Sequence, residues 1–211
     1  MNGNTRFEID FSEAKPIVGT KAPRELQAQA KFELSPFYEF SAPEGIERAS
    51  GPCAIGMVLH HHQIGWNHIP KDRHGHPQND PYILEIMRWA ACPDLLSGTM
   101  GTSPAQLLKA LRKAELNANW YAGNTAQTTL ELIQNELFEG RPVIALLNNA
   151  TEDEPLLLEW EVIFSVDEDT VMSKQAGAQP QNKRRTIAQF EKELTLKLTQ
   201  LSCSVITARK D

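Results

Sequence analysis

The stretch that most restricts the fold is SGPCAIGMVLHHHQIG, residues 50 to 65. Ala54, Met57, Val58 and His61 recur at helical spacing, and Ile55, Leu59 and His62 stand beside them. A helix that is apolar nearly all round has no face to offer water, so it must run through the middle of a domain and be covered by other elements. Pro52 suits its first turn, where the missing N–H costs no hydrogen bond. A chain of 211 residues is long enough to bury such a helix in one core.

The remaining segments supply the cover. YILEIMRWAA reads as a helix ended by Cys92-Pro93. GTSPAQLLKALRKAEL reads as another, capped by Thr102 or Ser103 with Pro104 in the first turn, and Leu107, Leu108, Ala110, Leu111 and Ala114 make its inner face. TLELIQNELFEG is an amphipathic helix stopped by Gly140. The pattern then changes. RPVIALLN is the short apolar run of a buried strand, LLLEWEVIFSVDED and TVMSK are two strands joined by an acidic turn, RRTIAQFEKEL is a short helix, and LSCSVITARK a last strand. Helices lead and antiparallel strands follow, which predicts an α+β domain with its central helix packed on a C-terminal antiparallel sheet. Residues 1–36 read as an N-terminal extension, with a short strand in RFEIDF and a helix in APRELQAQAKFEL, and residues 37–211 as the domain itself.

Charge and cysteine usage narrow the partners. A formal net charge of -6 argues against nucleic acid, whose phosphates call for clustered Lys and Arg, and the one basic cluster, NKRR at 182–185, reads as a solvated loop. No stretch has the apolar length of a membrane span. The first residues lack the basic-then-apolar pattern of a secretory leader, and Cys53, Cys92 and Cys203 are too scattered for a disulfide framework. A reducing cytoplasm fits these features best. All six histidines fall between His60 and His76. Imidazoles suit zinc, copper or nickel, yet His60, His61 and His62 are consecutive and fan out around a helix end, and no cysteine pair frames a tetrahedral site. Helix-end packing is the simpler reading, so neither a metal nor another cofactor is expected, although the pattern leaves metal binding by His60–His76 open.

The order of these landmarks resembles the C39-like peptidases, a branch of the papain-like cysteine peptidases. SGPCAIGMVLHHHQIG is similar to their opening Cys-Gly-Pro-type helix, GTSPAQLLKALRKAEL to the Gly-Thr and helix before their sheet, LFEGRPVIALLN to their Gly-Arg-Pro-Val-Ile strand, LEWEVIFSVDEDTVM to the strand pair that begins His-Trp, and RRTIAQF to the following short helix. The likeness runs over roughly residues 37 to 195. It implies a papain-like fold and a set of departures. Ser50 stands at the nucleophile position, Glu159 where the catalytic His precedes Trp160, Ser173 near the third member, and Glu44 about where the oxyanion-hole glutamine lies.

These departures change the chemistry. A thiol peptidase needs an imidazole to take and return a proton near neutral pH. A serine hydroxyl is a poorer nucleophile without that base, and a carboxylate at the oxyanion position opposes the charge that must develop there. Cys53 lies one turn beyond Ser50 and is the alternative nucleophile; as a small apolar core residue it needs no partner. The resemblance therefore implies a pseudoenzyme that retains a cleft lined by Glu44, Ser50, Glu159, Trp160 and Ser173 and binds a protein or peptide segment there, with carboxylates favouring basic or amide-rich ligands. Two alternatives stand beside it: a hydrolase or acyltransferase of altered chemistry using Ser50 or Cys53, and a structural assembly subunit in which residues 1–36 carry the contact.

Overall fold

The computed structural model describes residues 11–17, 32–33, 40–44, 46, 49–90, 102–150, 157–175, 181–196 and 201–211. The apolar segment forms helix α1 (Ser50–His61), in which every residue from Gly51 to Leu59 is buried. Helices α2 (Asn79–Ala90) and α3 (Pro104–Lys113) pack beside it. Ser103 caps α3 in a reciprocal box with Gln106, so the cap is Ser103 rather than Thr102.

The strands are β1 (Ala14–Lys15), β2 (Phe32–Glu33), β3 (Asn117–Tyr121), β4 (Val143–Asn148), β5 (Leu158–Val166), β6 (Thr170–Gln175), β7 (Gln181–Thr186) and β8 (Val205–Arg209). They form one sheet in the order β1-β3-β8-β4-β5-β6-β7, and β2 joins β5 beyond the end of β4. The pairs are antiparallel except β1 with β3. Alternation along the strands divides the apolar residues between two faces. Ile144, Leu146, Trp160 and Val162 meet α1, α2 and α3 on one side. Val143, Ala145, Leu147 and Ile163 meet α4 (Ala126–Phe138) and α5 (Ile187–Leu194) on the other. The result is a mixed sheet between two helical layers, with α1 lying directly against β5.

Three expectations are corrected. NKRR is no loop: it lies in edge strand β7, where Arg185 is 5% exposed. The helix expected to run through Lys31–Leu34 gives way to strand β2 at Phe32–Glu33, because the backbone there is taken up by Ser165 and Val166 of β5. Strands do not wait for the helices to finish: β1 and β2 precede α1, and β3, whose burial alternates along Asn117–Tyr121, separates α3 from α4. Of the strand expected over residues 6–11 only Phe11 is described, and it lies in no strand; residues 22–31 and 34 of the helix expected over 22–34, and the Cys92-Pro93 stop, lie outside the described residues.

Candidate functional site

The N-terminus of α1 has no side-chain cap; its N-cap is Ala49. Gly51 lets this end approach closely. A Cβ there would stand 2.7 Å from Thr102 Cβ and 2.8 Å from its Oγ1. Thr102 is also held from the sheet, since its carbonyl accepts the Trp160 indole N–H at 2.8 Å. Thr102 thus ties the first turn of α1 to the start of β5. The outcome is a contact at the sequence-predicted position: Ser50 Oγ accepts the backbone N–H of Trp160 at 3.3 Å. Ser50 and Glu159 are both partly exposed, but the Glu159 side chain lies on the other face of β5 with Leu147 and Ile163, whereas Trp160 faces α1, is buried at 3% exposure and gives its backbone to the contact.

Glu159 is fixed by amides. Its Oε2 accepts from Asn149 Nδ2 and from Gln175 Nε2, both at 2.6 Å. Glu161, two residues on and therefore on the same face, is fully buried. Arg185 donates to it as a fork, Nη1 to Oε2 at 2.9 Å and Nη2 to Oε1 at 3.0 Å. Ser173 Oγ donates to Glu161 Oε2 at 2.5 Å, and Asn149 Nδ2 to Oε1 at 2.8 Å. Burial opposes charge on Glu161, but the Arg185 guanidinium, aided by Ser173 and Lys183, holds its carboxyl below the usual carboxylate range. Burial likewise opposes charge on Arg185, and Glu161 with Glu193 keeps it cationic. The fork closes back on the surface through Arg185 Nη2, which donates to Asn149 Oδ1 at 2.9 Å.

The structure distributes the other expected site residues as follows. Ser173 is fully buried and bonded to Glu161 and Arg185, so it lines no surface. The β6 residue that meets Glu159 is Gln175, because β5 and β6 pair Glu161 with Gln175 and Ile163 with Ser173. Glu44 is exposed in the turn closed by Ile46 N–H onto Pro43 O at 3.0 Å. Cys53 is 0% exposed within the core of α1, α2 and α3, out of reach of a substrate. Asn149, Glu161, Gln175 and Arg185 escaped sequence reasoning. One signal was present: LEWEVIF alternates so that two carboxylates share one face of an otherwise apolar strand, which demands a buried cation.

The histidines gather elsewhere. His60 begins ten residues after Ser50, about 15 Å along the helix axis at 1.5 Å per residue. His60 Nε2 and His76 Nδ1 are 3.1 Å apart, His61 Nε2 is 2.9 Å from Gly140 O, and His62 Nε2 is 3.3 Å from Ala208 O. His68 stacks on Trp66 and faces Glu85 at 3.9 Å, while Arg73 Nε donates to His74 at 3.0 Å. Among the described residues no group of three or more His, Cys, Asp or Glu side chains is arranged to hold a metal ion.

No protein-family profile matches the chain, and no curated protein matches it. Solved structures do. The peptidase domain of Streptococcus ComA, a bifunctional ABC transporter involved in a quorum-sensing pathway, is similar over 83% of this chain and 100% of that one, with a TM-score of 0.54 and 10% identity. A putative C39-like peptidase from Bacillus anthracis is similar over 87% of this chain and 99% of that one, with a TM-score of 0.59 and 16% identity. The fold is that of the C39-like peptidases. In this C39-like fold the helix that opens with Ser50 is the buried central one, and the strand it touches is the one that carries Glu159 and Trp160. No helix among the described residues is long and apolar enough to cross a membrane.

Proposed function

We propose that this chain is a catalytically inactive C39-like domain that binds a protein or peptide segment where α1 meets β5. The observation that carries the reading is the separation of the hydroxyl from every imidazole. Ser50 Oγ receives a backbone N–H at the start of α1, while the histidines begin at its far end or beyond it. Acyl transfer by Ser50 would need a base tuned near neutral pH. The nearest carboxylate along β5, Glu159, turns to the opposite face of the strand, where Asn149 and Gln175 hold its Oε2. The buried position of Cys53 weighs against the thiol route, since a nucleophile must be reached.

What remains is a binding surface. Ser50 keeps a hydroxyl hydrogen to donate where α1 meets β5, and Glu159, on the opposite face at the start of the same strand, keeps a second carboxylate oxygen to accept. An extended segment offers N–H and C=O groups of both kinds, and a basic or amide side chain complements the carboxylate. Selection from a displayed library of short random peptides should yield binders enriched in Lys, Arg, Gln or Asn. Glu159→Lys should weaken them by roughly tenfold or more, the scale of a hydrogen bond to a charged group. Unchanged affinity would place the binding surface elsewhere.

A further inference from the structure

Helix α1 runs out into three consecutive histidines, and each meets a different element. His60 Nε2 lies 3.1 Å from His76 Nδ1, His61 Nε2 2.9 Å from Gly140 O in the turn after α4, and His62 Nε2 3.3 Å from Ala208 O in β8. These contacts answer acid differently. A carbonyl oxygen only accepts, so His61 and His62 each donate from Nε2. An imidazolium keeps that N–H, and both bonds outlast protonation. His60 and His76 meet nitrogen to nitrogen, so one carries the hydrogen and the other offers a lone pair. The neutral pair holds two N–H hydrogens on four ring nitrogens. One added proton still leaves a lone pair to bridge the rings. A second sets N–H against N–H and one cation against another, and the bond is lost.

His76 belongs to a small hairpin. Lys71 and Pro77 bridge across it, Gln78 N–H donates to Pro70 O at 2.8 Å, and Asp72 N–H donates to His76 O at 2.8 Å. Asp72 Oδ1 accepts the backbone N–H groups of His74 at 2.8 Å and His76 at 3.0 Å. The chain is anchored on both sides of this unit. Ile69 is buried with its N–H on Trp66 O, and Asn79 exchanges two bonds with the Ser41 backbone. Between those anchors the hairpin holds its own shape, and His76 joins it to α1. Among the described residues, the titratable groups facing the pair are His61 on α1 and Asp72 and His74 on the hairpin, and the Phe40 ring lies 6.0 Å from His60. We infer that the His60–His76 contact is an acid-sensitive clasp, which frees the hairpin from Pro70 to Gln78 while the His61 and His62 ties keep the end of α1 in place. Release follows the second added proton, not the first. Burial, then His76 and His61, holds His60 below its ordinary 6.5, so the clasp stays shut at neutral pH and opens in mild acid. The clasp is independent of the proposed binding role, since it sits at the end of α1 away from Ser50.

NMR on the whole protein, from about pH 8 down to about pH 5, tests this. Ring nitrogen shifts count the protons on each imidazole, and backbone relaxation reports the order of the hairpin. His61 and His62 should keep Nε2–H throughout. The His60–His76 pair should take up its two protons in separate steps. With the second, the cross-peak between the two rings should vanish and the amides from Asp72 to Gly75 should lose order. The Arg141 amide, bonded to Glu136 O beside Gly140, should not change. His60→Gln and His76→Gln each put a neutral amide in place of one ring, so the order of the hairpin should no longer vary with pH. His76→Gln alters only the partly exposed hairpin and serves even where His60→Gln disturbs the core. Four results would overturn the clasp: hairpin loosening that persists in the variants, loosening that comes with the first proton, Arg141 loosening in the same step, or uptake of both protons with the hairpin unmoved.

Discussion

At the scale of single residues, the site depends on close approach and on one buried ion pair. Gly51→Ala would drive a Cβ to 2.7 Å from Thr102. Overpacking of this kind costs about 1–3 kcal/mol, so the urea midpoint should fall and the Ser50–Trp160 contact should loosen. Arg185→Ala would leave Glu161 charged and buried without its fork. The expected loss is about 3–5 kcal/mol in urea unfolding, well above the effect of trimming an exposed partner such as Arg88. pH acts through two groups of residues. Burial, with His76 and His61 nearby, lowers His60 below its ordinary 6.5. Burial and His61 lower His62 in the same direction, against the Ala208 carbonyl. The unfolded chain therefore binds these protons first, so their contribution is complete above pH 6.5 and declines as pH falls toward the folded values. Glu161, held below its ordinary 4.5, contributes above that pH and is lost as pH falls through its folded value. Urea midpoints across pH should show both declines, and His60→Gln should reduce the upper one. A midpoint flat from neutral pH down to the carboxylate range would refute the assignment.

At the scale of elements, the chain ahead of α1 belongs to the sheet. β1 pairs with β3 through Ala14 and Lys15, Phe11 packs 5.3 Å from the Trp120 ring, and β2 extends β5. Removing residues 1–36 would bare the β3 edge and strip two strands, so the truncated protein should melt at lower temperature and self-associate, as scanning fluorimetry and light scattering would register. The truncation is thus no clean test of a separable assembly arm. Much of the architecture was legible in the sequence. The all-round apolarity of residues 51–59 made α1 central, and the runs of β4, β5, β6 and β8 were long and apolar enough to read. What escaped were elements defined by their partners. β1 and β2 have two residues each and no periodicity of their own. β7 is Gln-Asn-Lys-Arg-Arg-Thr, which looks like solvated chain until Glu161 is known to face it. The site divides the same way. Likeness to a pattern singled out Ser50, which meets β5 at Trp160, and Glu159, which turns to the other face, whereas Asn149 and Gln175 came from the register of β4, β5 and β6, which one sequence does not state.

At the scale of the molecule, a central helix pinned to a sheet by Thr102 and Trp160 presents a hydroxyl at one end and its imidazoles at the other. The proposed function makes the Ser50 end of α1 a binding surface rather than a place where a proton is moved. Intact-mass analysis of the native protein, exposed in turn to a fluorophosphonate and to iodoacetamide across neutral and mildly alkaline pH, puts that to the test most directly. The account predicts no phosphonyl adduct on Ser50 and alkylation of Cys53 only as fast as the core opens. A stoichiometric Ser50 adduct, or rapid Cys53 alkylation whose rate titrates near neutral pH, would contradict it.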